Sequence, residues 1–153
     1  MEAIAHIRQG LVLLQTLPET PQRLQREVTM YIALGASLIA TKGWAAPEVG
    51  ETYTSAQQLC HHLEDPYQLS PVLRGLWSYY LVRAEFQTAH ELGEQLLILA
   101  QHTQDPVLLL AAHRAMGATW FCLGELTAAH TQLAQGIALY DATHHRASVR
   151  QQF

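Results

Sequence analysis

DPVLLLAAHRAMGATWFCLGELTAAHTQLAQGIALYD, residues 105–141, is the stretch that decides the fold. Its first half sets Leu109, His113, Met116, Trp120 and Leu123 in one line, at steps of four, three, four and three. Its second half sets Leu126, Ala129, Leu133, Ile137 and Tyr140 at the same kind of spacing. Those steps follow the face of an α-helix, whereas a strand would alternate every second residue. Asp105 before Pro106 is a helix start: the carboxylate is free to cap, and proline stands where no N–H is needed. Leu123-Gly124-Glu125 is the break, with glycine suited to a left-handed cap. The stretch therefore reads as two amphipathic helices folded back on each other.

The unit recurs. At a shift of 40 residues Asp65-Pro66 falls on Asp105-Pro106, Gly35 on Gly75, and Ala89-His90 on Ala129-His130. At the same shift Ala36, Leu76 and Met116 align, as do Ala40, Tyr80 and Trp120. Repetition at such a period marks a stacked helical array. The expected fold class is all-α, an α-α superhelix of antiparallel helical hairpins with about 40 residues per repeat. One domain spans residues 1–153, made of a half repeat at 2–17, hairpins at 21–63, 66–103 and 105–142, and a stub of a next repeat at 143–153. Thr20-Pro21 opens a helix to about Thr41, Pro47 one to about Leu63, and Phe86 one to about His102. Pro71 costs a hydrogen bond inside a helix and clashes with the preceding turn. It predicts a helix start at Ser70-Pro71, after an irregular turn over 65–69. The run Leu11-Val12-Leu13-Leu14 predicts a first helix packed on both sides, so the chain reads as a segment of a longer array. The end helices of such a segment expose apolar surface, which predicts self-association through 2–17 or the last hairpin.

Composition narrows the function. The chain is 49% hydrophobic and 14% charged, enough to build a core. Its net charge is −4, and its one lysine, Lys42, and its arginines are scattered, so nucleic acid is a poor partner. No apolar run reaches the ~18 residues of a membrane span, and the N-terminus lacks a signal-peptide layout. The two cysteines, Cys60 and Cys122, do not form a disulfide framework, and the expected compartment is the cytoplasm.

The last hairpin resembles a tetratricopeptide repeat. His113 stands at the first large position, Met116-Gly117 at Leu-Gly and Trp120 at the aromatic, with Ala129, Leu133 and Gly136 on the second helix. The earlier units depart from that pattern: Trp77 and Ser37 replace the first-helix glycine, and Gly93 replaces the large second-helix residue. Nearly the whole chain is also similar to the helical-repeat region of large bacterial signalling ATPases, which often carry a nucleotide cyclase module. ALGASLIATKGWAAPEVGETY (33–53), PVLRGLWSYYLVRAE (71–85) and AHRAMGATWFCLGE (112–125) carry that similarity. It implies a sensing or partner-binding module and not the ATPase, since no GxxxxGK[ST] loop is present.

The candidates for chemistry are weak. His90-Glu91-Leu92-Gly93-Glu94 is one residue short of HExxH and offers two ligands where zinc needs at least three from the protein. The neighbours His61-His62 and His144-His145 point about 100° apart on a helix and do not readily share an ion. Cys122, beside Trp120 and Phe121, reads as a buried structural thiol. No catalytic residue, metal or cofactor is expected. What remains is a face. Arg74, Ser78, Leu81 and Val82 in one unit match Arg114, Ala118, Phe121 and Cys122 in the next, an apolar wall with one cation per repeat. In the tetratricopeptide pattern these positions face the concave groove. Arginine suits carboxylates and phosphates. The expected function is a non-catalytic scaffold for a protein or peptide partner, or for sister domains of a parent chain, in bacterial signalling. The alternative is a small-ligand sensor that regulates an attached ATPase or cyclase.

Overall fold

The computed structural model describes residues 2–63 and 65–140. The stub at 143–153, with His144-His145, lies outside them. Among the described residues there are seven helices and no strand: α1 (Glu2–Gln15), α2 (Pro21–Lys42), α3 (Pro47–Cys60), α4 (Pro66–Val82), α5 (Phe86–Thr103), α6 (Pro106–Cys122) and α7 (Leu126–Ala138). Four of the seven begin on a proline. Three of those four starts are capped by the side chain before it. Thr20 accepts from the Arg23 amide at 3.2 Å, Asp65 from Tyr67 at 2.9 Å, and Asp105 from Val107 and Leu108 at 2.8 and 3.3 Å. Each cap satisfies donors that the first turn leaves without a partner.

Pro71 does not start α4, which already runs from Pro66. The Asp65 cap and the Leu69 amide bond to the Asp65 carbonyl at 3.0 Å close the first turn before Pro71 is reached. Pro71 then forgoes only its own bond, within the second turn, while Val72, Leu73 and Leu76 bury the face beyond it. Packing outweighs the local penalty.

Contacts divide the chain into two compact units, Met1–Ala89 and His90–Phe153. In the first, α2 and α3 form a hairpin, α1 lies against α2, and α4 packs on α3 and α2. Val28, Leu38, Val49 and Val72 are fully buried. The centre of this packing is Tyr53 of α3. A Cβ built on Gly35 would fall 2.6 Å from its ring, and one on Gly75 would fall 2.5 Å from it. The ring therefore needs a glycine on each of two first helices. Gly50 gives way to Tyr79 in the same manner, and Gly10 to Met30. The sequence places the close-approach position at Ser37 and Trp77, but it lies two residues earlier, at Gly35 and Gly75, while Trp77 is a buried core residue.

In the second unit the α6–α7 hairpin closes on Gly117, where an added Cβ would fall 2.6 Å from Leu133. His113 Nδ1 lies 2.9 Å from Gln132 Oε1 across the same hairpin. Gly93 of α5, which lacks the expected large side chain, is filled from the other side: the Met116 sulfur sits 2.7 Å from where its Cβ would be. Gly124 turns the chain with φ 82°. The apolar stripes are only partly buried. Ala129, Gly136 and Met116 are inside, whereas Leu123, Leu126, Leu133, Ile137 and Tyr140 are exposed.

Candidate partner-binding faces

The predicted face residues lie on one side of their helices. In the first unit Arg74 is exposed, Ser78 and Leu81 are half-buried, and Val82 is 52% exposed. The spacing Arg74, Ser78, Leu81 is four and three residues, one helical stripe. Val72, Leu73 and Leu76, on other sides of α4, bury the core. The Arg74 guanidinium lies close enough to Tyr53 to act on its phenol: burial pushes the Tyr53 pKa up, and the Arg74 charge offsets part of that rise. In the second unit Arg114 is exposed, Ala118 is half-buried and Phe121 is 64% exposed. Each helix thus presents a cation, a small residue and an apolar residue in the same order.

His90 rests edge-on against Trp120, ring centroids 4.5 Å apart, and its Nδ1 is 3.8 Å from Glu94. No three His, Cys, Asp or Glu side chains converge on a metal-sized site among the described residues. His61 and His62 are exposed at the end of α3. Cys122 is exposed, contrary to its reading as a buried thiol, because α6 ends at that residue, past the packed part of the helix. Cys60 is the buried one, and desolvation pushes its thiol up to about 11. Since the thiolate is the reactive form, that burial disfavours reaction at Cys60. Among the described residues no helix is long and apolar enough to cross a membrane.

Sequence reasoning missed a different surface on α2. The positions that bury Leu73 and Leu76 in α4 are Ala33 and Ala36 in α2, and both are exposed. A change from leucine to alanine at aligned positions was the available signal. Beside it, polar side chains of α2 line an open cleft with the end of α1.

No protein-family model matches the chain, and no curated protein matches it. Among solved structures it is similar to the crystal structure of the TPR domain of Arabidopsis FLU, with a TM-score of 0.68 and 17% identity, covering 75% of this chain and 95% of that one. The fold is therefore the tetratricopeptide-like arrangement of antiparallel helical hairpins.

Proposed function

We propose that the chain is a non-catalytic scaffold that binds a protein or peptide partner, or sister domains of a parent chain, through the exposed faces of α4 and α6. The observation that carries this reading is the pairing of an exposed arginine with an exposed large apolar residue, Arg74 with Val82 and Arg114 with Phe121. Apolar surface beside a cation suits a partner that offers carboxylates and an apolar anchor. The tetratricopeptide-like fold supports a scaffold. The likeness to the repeat region of bacterial signalling ATPases supports a cytoplasmic role in signal transduction, with no nucleic acid or membrane as partner. The clefts of the first unit are open grooves, which favours a peptide over an enclosed small molecule.

The test is capture of a partner with the purified chain, followed by titration of that partner against Arg74→Ala and Arg114→Ala. An acidic partner should lose up to about a hundredfold in affinity with either change. The loss should shrink at high salt. Unchanged affinity together with a fall of several degrees in thermal midpoint would mean that the arginines serve the fold, and the reading would be wrong.

A further inference from the structure

A cleft of about 460 Å³ lies within the first unit, between α3 and the last turn of α4. Its α3 wall includes Glu51, Thr54 and Gln58, at helical steps of three and four. Its α4 wall is Tyr79 and Tyr80, whose rings stand edge to face with centroids 5.1 Å apart. The end of Tyr79 fills the space that a Cβ on Gly50 would take, 2.6 Å away, and Tyr80 is half-buried. No lysine, arginine or histidine lines the cleft. Glu51 is exposed and has no ion-pair partner among the described residues. Arg83, at the end of α4, lies over Tyr79 with its guanidinium carbon 5.2 Å from the ring centroid. The tyrosine pair thus already draws a cation of its own chain to a ring face. Glu85 answers that charge, accepting from Arg83 Nε at 2.7 Å, so Glu51 stays uncompensated.

The aligned place in the second unit supplies its own nitrogen base. At the shift of 40 residues Gly50 falls on His90 and Tyr80 on Trp120. His90 lies edge-on against Trp120 with its Nδ1 3.8 Å from Glu94, so an aromatic ring, a nitrogen base and a carboxylate meet there. The first unit has the ring, Tyr80, and a carboxylate one turn earlier on the helix, Glu51. It has glycine where the nitrogen base would stand.

We propose that this cleft binds a small organic ammonium ion, its cation set against the Tyr80 ring and paired with Glu51. Thr54 and Gln58 offer hydrogen bonds to a polar tail. An open cleft suits such a ligand, because charge and ring attraction hold it without enclosure. The cleft is separate from the Arg74 and Arg114 faces, which are cationic and suit acidic groups. Loss of one reading leaves the other standing.

The experiment is a titration of the isotopically labelled full chain, followed by NMR through its backbone amide shifts. The probes are choline, with a quaternary head group, and cadaverine, with primary ammonium groups. The control is 3,3-dimethylbutan-1-ol, the uncharged isostere of choline. At least one of the two cations should give saturable shifts around Glu51, Thr54 and Tyr80, and the isostere should bind more weakly than choline. The dissociation constant should rise about two- to fivefold with Glu51→Gln and by a similar factor with Tyr80→Leu. Binding should weaken at high salt. Tyr80→Leu removes a half-buried ring and could disturb the fold. Glu51 is exposed, so Glu51→Gln should leave the thermal midpoint unchanged and keeps the test sound. Absence of saturable shifts with both cations would overturn the proposal. So would an isostere that binds as tightly as choline, or a Glu51→Gln chain that binds as the parent does.

Discussion

Tyr53 and Leu133 hold the same place in the 40-residue register, one in each unit, and their hairpins use that place differently. Tyr53 is 5% exposed and reaches the glycines of two first helices. Leu133 is 40% exposed and reaches one, Gly117. Between them in sequence, Gly93 reverses the arrangement and takes Met116 into the gap. Each contact is filled to similar closeness. The repeat preserves the sum of two facing volumes and lets either side supply it, as close-packed interiors require.

The largest effect should come from truncating the ring. Tyr53→Ala empties space lined by two helices and should cost about 3–5 kcal/mol. Leu133→Ala, half of it in solvent already, should cost about 1 kcal/mol. Urea unfolding of the two variants measures the gap, and equal costs would break the comparison.

The next effect sharpens it. Gly75→Ala improves helix propensity by about 1 kcal/mol. Its methyl meets the Tyr53 ring, so the net change should be a loss of about 1–3 kcal/mol. In a Tyr53→Leu background, with the residue the last hairpin uses, the same substitution should become neutral or stabilising. A cycle of the four proteins isolates the coupling. A loss of equal size in both backgrounds would assign the cost to something other than the ring.

The smallest effect concerns the outer face of the last hairpin. Ile137 is 73% exposed although its spacing marks it as a stripe residue. Ile137→Ser should shift stability by no more than about 0.5 kcal/mol, read as the thermal midpoint. A larger loss would show that this face is covered in solution.

These contrasts also explain which parts of the fold were legible in the sequence. Helix starts were legible because proline and a capping side chain act locally, as at Thr20-Pro21 and Asp105-Pro106. Pro71 was misread because its local penalty is overridden by Val72, Leu73 and Leu76, whose burial depends on helices far away in sequence. Periodicity found the stripe through Leu126, Leu133 and Ile137, but it cannot tell whether a neighbour covers that stripe. Cys122 was misread for the same reason. In the proposed partner faces, exposure of Arg74 and Arg114 followed from helical spacing, whereas the α2 cleft did not, since its walls come from three helices.

The seat of Tyr53 has a consequence for how such a chain can change over generations. Positions 35, 53 and 75 are inherited as one unit, because a side chain cannot grow at either glycine while the ring remains, and the ring cannot shrink without leaving a hole. Drift must pass through paired replacements, in which one position enlarges as its opposite number diminishes. Duplicated hairpins that diverge by this route keep their architecture while their letters cease to match. That is the faint self-similarity seen here, with tyrosine, glycine and leucine at one place in three successive units.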